Sequence, residues 1–215
     1  MNKFSLLLLL LPAFKPMAPV QDSMPARHVS QKMDEDVPPE DVKGIPADIM
    51  GIKKAFAYTV SLRTQNKLDS VSFSYSCEET SGTIIYFYEA GKLRMIDYGY
   101  SEGDHGGSNE QYFIKDTTLY FVYNESDSWG FEPDGIGTVD HIEETRTYIV
   151  NKQPVRCLEK NYFAHSRDKN YPNPPDSIQN MQISCPTYEE IIAPYQQILR
   201  FRNHPSKGCW EKYPY

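Results

Sequence analysis

Two Asp-His pairs, Asp104-His105 and Asp140-His141, are the residues of this sequence best placed to do chemistry. Imidazole and carboxylate groups bind zinc, and Glu102, Glu143 and Glu144 stand close by in the chain. A shared metal site requires the two polar stretches that carry the pairs, 101–110 and 124–141, to meet in space. Neighbouring residues of an extended chain point to opposite sides, so an Asp-His pair is not a proton relay by itself. The plainer reading is a solvated histidine in a polar turn. The second stretch also holds Glu125, Asp127, Glu132, Asp134 and Asp140 around glycines. Oxygen ligands at that density suit calcium, although the ligand order of an EF-hand is missing.

Other chemistries find little support. The sequence has no G-x-S-x-G, no H-E-x-x-H and no phosphate-binding loop. Cys77 or Cys157 with His105 or His141 would make a thiol nucleophile, but disulfide bonding competes for those thiols. Asn124-Glu125-Ser126 is a glycosylation sequon, relevant only in a eukaryotic secretory pathway. No cofactor is expected.

The chain that must position these groups has 215 residues, enough for one domain with a proper core. Its mean hydropathy is only −0.58, yet 13% of residues are aromatic, with sixteen tyrosines. Tyrosine favours strands and buries a large ring, so the low hydropathy does not signal disorder. MNKFSLLLLLLPAF opens with one basic residue and an apolar run too short to cross a bilayer. This order reads as a secretory signal over about residues 1–26, with Ala13, Ala18 and Ala26 as candidate cleavage positions. Removal of that segment leaves 20 basic and 28 acidic residues, a net of −8. Nucleic acid and anionic membrane are thereby disfavoured as partners. No transmembrane segment is expected.

Prolines and the acidic run Asp34-Glu35-Asp36 make residues 27–46 a linker, so the expected domain covers 47–215. Ile49, Ile52, Phe56 and Val60 predict a helix over about 47–64. Val71, Phe73, Tyr75 and Cys77 alternate with serines, which predicts a strand. Near the other end, Thr187 and Glu190 have capping-box spacing. Ile191, Ile192, Tyr195, Ile198 and Leu199 then form a helical stripe that Pro194 should kink.

Between these elements lies a threefold repeat. IYFYEAGKLRMI (85–96), QYFIKDTTLYFV (111–122) and TYIVNKQPVRCL (147–158) align without a gap, each with tyrosine in second place and a polar turn in the middle. Three hairpins follow. If each loop is even in length, one side of the sheet carries Tyr86, Tyr88, Leu93, Met95, Tyr112, Ile114, Leu119, Phe121, Tyr148, Val150, Val155 and Cys157, none of them charged. The opposite side carries Arg94, Ile96, Tyr98, Tyr100, Tyr120 and Arg156. Tyrosine and arginine are enriched where surfaces recognise partners, so these six form the expected binding face. The competing expectation is that this side is a second core layer beneath the N-terminal lead-in or residues 161–184.

The fold class expected is α+β: an antiparallel meander of about seven strands, packed on its uncharged side by an N-terminal and a C-terminal helix. Four cysteines permit two disulfides. Doubling of the chain back along the second helix would pair Cys185 with Cys209. Cys77 and Cys157 would pair only in a curled sheet, and otherwise stay as buried thiols.

GDHGGSNEQYF, LYFVYNES and ETRTYIVNKQPVRCLEK together resemble a group of exported proteins of Bacteroidetes-type bacteria with no established activity. The likeness spans roughly residues 70–160. It implies export and a mostly β fold, and it brings no catalytic residue. The function expected is therefore an exported, non-enzymatic protein of the bacterial envelope, located in the periplasm, envelope or exterior. It would bind a protein, peptide or glycan. The alternative is a small metal-dependent hydrolase built on 101–110 and 124–141.

Overall fold

The computed structural model describes residues 40–169, 171, 178–203 and 205. The expected signal segment, residues 27–39 of the linker, and Cys209 lie outside the described residues. The elements are α1 (Ile49–Thr64), β1 (Asp69–Cys77), β2 (Thr80–Glu89), β3 (Lys92–Glu102), β4 (Gly106–Lys115), β5 (Thr118–Phe131), β6 (Thr138–Val150), β7 (Gln153–His165), β8 (Met181–Ile183) and α2 (Tyr188–Asn203). Their eight strands form one antiparallel sheet in simple chain order. The class is α+β, as expected, with one short strand more than the seven anticipated.

Four of the connections are two-residue turns, and three of them fall in the repeat, at Ala90-Gly91, Asp116-Thr117 and Asn151-Lys152. All six residues of these three have positive φ, the signature of the type I′ turn, whose twist matches that of paired strands. Each hairpin then takes one extra residue. Tyr88 pairs with Leu93 but Phe87 pairs with Met95, so Arg94 is left over. Tyr120 and Val155 are skipped in the same way in the second and third hairpins. Such a bulge reverses the facing of every residue beyond it.

The bulges correct the expected division of faces. Tyr86, Tyr88, Leu93, Tyr112, Ile114 and Leu119 do share one side. Beyond the bulges, Ile96 and Val122 join them, while Met95 and Phe121 turn to the other side. In the third hairpin the turn arrives one residue earlier, so Tyr148 lies opposite Phe121 on the far side from Tyr86. Val155, the bulged residue, is 48% exposed.

The two helices take opposite sides rather than one. α2 packs Ile191, Tyr195, Ile198 and Phe201 onto Tyr75, Ile84, Tyr86, Ile96, Tyr98 and Tyr112. Its capping box forms as its spacing requires, with Thr187 N–H donating to Glu190 Oε2 at 2.7 Å and Glu190 N–H to Thr187 Oγ1 at 3.3 Å. The Tyr86 hydroxyl donates to the Ile198 carbonyl at 2.7 Å, and burial pushes its pKa up. α1 starts on Asp48, whose carboxylate accepts the Gly51 N–H at 2.7 Å. It lays Phe56 against Phe113 and Phe121, with ring centroids 4.8 and 5.3 Å apart. Arg63 reaches Asp97 at 2.5 Å and lies over the Phe87 ring. The result is a sheet sandwiched between single helices.

Part of the expected linker belongs to this packing. Asp41 pairs with Lys115 and, at 3.4 Å, with Arg94, and Lys115 also donates to the Val42 carbonyl. The disulfides differ as well. Cys157 is bonded to Cys185, with Cα atoms 5.2 Å apart, because β8 adds to β7 and places Ile183 opposite Cys157. Cys77 is also disulfide-bonded, so neither Cys77 nor Cys157 is a thiol.

Two outcomes test this packing. Ala90 sits at φ 48°, where asparagine is favoured and a β-branched residue is strained. Ala90→Asn should raise stability by about 0.5 kcal/mol, and Ala90→Val should lower it by about 1 kcal/mol or more, both read from urea midpoints. Tyr86→Phe removes a buried hydrogen bond and should cost about 1 kcal/mol by the same measurement.

Candidate functional site

The six residues of the expected Tyr/Arg face do not form one surface. Ile96 and Tyr98 are buried under α2, and Tyr100 packs at the margin of that cluster. Tyr98 shares its hydroxyl with Tyr75 at 2.5 Å. Arg94, Tyr120 and Arg156 belong to the α1 side. Arg94 is held by Glu89 at 2.5 Å and by Asp41. Tyr120 is fully buried and its pKa is raised by burial. Arg156 lies opposite Tyr148. The second-core-layer expectation describes this side better than a binding face does, with α1 and, from the lead-in, Asp41 and Val42 as the cover.

The stretches expected to be loops are mostly strand. Only 103–105 and 132–137 interrupt β3 to β6 there. Polar residues at both faces hid the alternation, because this end of the sheet extends past the reach of both helices. β7 shows what results. Tyr162 and Ala164 are buried with Ile142 and Ile178 on the α1 side, whereas Asn161 and Phe163 on the α2 side are exposed. Residues after β7 close the α1 side here: Tyr171 donates to Asp140 at 2.8 Å, and Arg146 reaches Asn180 at 2.6 Å.

On the α2 side, no described element covers the distal halves of β4 to β7. The register aligns Tyr100, Ser108, Ser126 and Glu143 in one cross-strand row, and Gly106, Ser128 and His141 in the next. With His105 from the β3–β4 turn, these residues line a cleft of about 380 Å³. Glycine at 107 is required beside it: a Cβ there would lie 2.8 Å from the Tyr100 carbonyl oxygen. His141 hydrogen-bonds Asn161 at 2.8 Å and stacks on Phe163 with centroids 4.7 Å apart. At the other margin His105 lies 4.4 Å from the Trp129 ring, and Trp129 Nε1 donates to the Asp104 carbonyl at 2.8 Å.

The cleft therefore unites His105 and His141, as the metal hypothesis required, but separates them from their aspartates. Asp140 points to the α1 side toward Tyr171, and Asp104 is not part of the lining. Among the described residues, no three His, Cys, Asp or Glu side chains converge as metal ligands. The acidic stretch is likewise dispersed. Glu125 accepts the Tyr123 hydroxyl, Glu132 pairs with His165, and Asp134 pairs with Arg167. The sequon residue Asn124 lies mid-strand with its side-chain oxygen buried.

Sequence reasoning missed the serines of the cleft, since serine on a strand reads only as a wet face. It also missed Glu110, one row toward α2 from Ser108. Glu110 accepts hydroxyls from Tyr112 and, at 3.5 Å, from Tyr100. Burial outweighs these donors and raises its pKa above the ordinary 4.5.

No family model matches this sequence, and comparison with curated proteins and with solved structures returns no match.

The raised pKa of Glu110 has a definite sign in stability. Below the ordinary value the carboxyl is neutral in both folded and unfolded chains. As pH rises past the folded value, the folded chain must hold a charge that the unfolded chain holds more easily. Glu110→Gln should therefore be more stable than the parent at pH 8, with the advantage shrinking as pH falls to 4. Thermal denaturation across that pH series checks it.

Proposed function

We propose that this chain is an exported, non-enzymatic binding protein of the bacterial envelope, and that its ligand is a glycan held in the cleft beside α2. The observation that carries the reading is the lining itself. Ser108, Ser126, Ser128, His105, His141 and Glu143 offer hydroxyl, imidazole and carboxylate groups with no aliphatic side chain among them. Rings flank this floor at Tyr100 and, stacked on His141, at Phe163, which is 61% exposed. Sugar hydroxyls need dense donors and acceptors, and the C–H face of a sugar packs on a ring. A buried apolar ligand would find no matching wall, and a nucleic acid would meet the acidic balance of the chain. Export is supported by the Cys157–Cys185 disulfide, which persists in oxidising compartments. No described helix is long and apolar enough to cross a membrane.

The test is calorimetric titration of the full chain with laminarin, mannan and solubilised peptidoglycan fragments. Binding to one of these is expected. Phe163→Ala and Glu143→Gln should each weaken it about tenfold, as loss of one stacking or charged hydrogen-bonding contact does. Both positions are at least partly exposed, so the unfolding midpoint should not move. Full binding by both variants, or no binding by the parent chain, would contradict the reading. Release of new reducing ends from the bound glycan would favour the hydrolase alternative.

A further inference from the structure

The two edges of the sheet are built differently, and the difference points to a second copy of this chain. One edge is β8, only three residues long, laid on β7, which itself carries Pro154, Arg156 and Lys160. A short edge offers little for another strand to pair with. The other edge is β1, nine residues of DSVSFSYSC. Its pairing with β2 runs unbroken from Asp69↔Tyr88 to Cys77↔Thr80, whereas each of the three repeat hairpins carries a bulge. β1 contains no lysine, arginine or proline, the residues that usually blunt an exposed edge. Val71 is 48% exposed, and Ser70, Ser72, Ser74 and Ser76 are all exposed.

The strand is also a polarity palindrome about Phe73. If two copies of β1 lie antiparallel around that residue, Val71 faces Tyr75 of the second copy on the α2 side. Ser72 then faces Ser74, and Ser70 faces Ser76, on the α1 side. Only Asp69 brings a charge, and it sits at the end of the ladder opposite Cys77. No row sets like charges together, and within Ser70–Ser76 no apolar residue meets a charge. Such self-complementarity is what a twofold interface demands of a single segment.

We propose that the protein self-associates through β1, two sheets joining edge to edge into one continuous antiparallel sheet centred on Phe73. This does not depend on the glycan reading, because the cleft is lined from β3 to β6 and takes no residue of β1.

Charge placement on β1 tests both the surface and the register. Sedimentation velocity of the full chain over a concentration series should show a monomer–dimer equilibrium. Ser72→Lys with Ser74→Lys sets lysine against lysine in two rows and should weaken association about tenfold or more. Ser72→Lys with Ser74→Glu sets lysine against glutamate in the same rows and should restore the dimer. Both serines are exposed, and circular dichroism verifies that each variant folds. A parent chain that stays monomeric throughout overturns the proposal, whether the edge is then covered by this chain's own residues or by another protein. So does undiminished association of the double-lysine variant. Loss of association in both variants overturns the register about Phe73.

Discussion

The structure depends on one repeated constraint: a two-residue left-handed turn followed by a single unpaired residue on the return strand. The turn sets each hairpin tight and gives it the right-handed twist. The extra residue, Arg94, Tyr120 or Val155, then exchanges the two faces beyond it. Near the turns, Leu93 and Leu119 pack toward α2. Past the bulge, the return strands send Ile96 and Val122 there instead. Both sides of the sheet become apolar enough to bury, so each takes a helix. Without the extra residue, Met95 rather than Ile96 would fall in the row that carries Tyr86 and Tyr112.

The bulged residues also explain the ionic packing under α1. Arg94 is directed to the side that carries Glu89, and Tyr120 to the side that carries Thr59. Asp41 then draws the lead-in across Lys115 and Arg94. A buried lysine without such a carboxylate would be costly, so residues 41–42 are part of the fold rather than a tether to it. Helix cover stops short of the distal strands on the α2 side, while the chain after β7 closes the α1 side. That asymmetry leaves the polar cleft as an open face of the sheet, with its side chains placed by strand register apart from His105 in the β3–β4 turn.

The meander and both helices were legible because each rests on local signals. Alternation marked β1, capping residues marked α2, and turn-forming tetrads marked the hairpins. The even loop length was legible too. The bulges were not, because a bulge has no compositional mark here: its three residues are arginine, tyrosine and valine. The third repeat was misphased for a related reason. Tyr148 matches Tyr86 and Tyr112 by identity, but its turn comes one residue early, and only pairing reveals that. The cleft was half legible. His105 and His141 were considered together only on the condition that their stretches met, and the strand that carries His141 was taken for a loop. β6 alternates in burial, but Glu144 and Arg146 occupy buried places there, which erased the hydrophobic period. Disulfide connectivity depended on β8, a three-residue strand with no signal of its own.

The central claim is the one-residue shift in each hairpin, and cross-strand proton contacts report it directly. Nuclear Overhauser spectra of the labelled chain should connect Phe87 with Met95, Phe113 with Phe121, and Tyr148 with Arg156 across the strands. Facing contacts of Phe87 with Arg94, Phe113 with Tyr120, and Tyr148 with Val155 would mean that no residue is bulged, and would contradict the account.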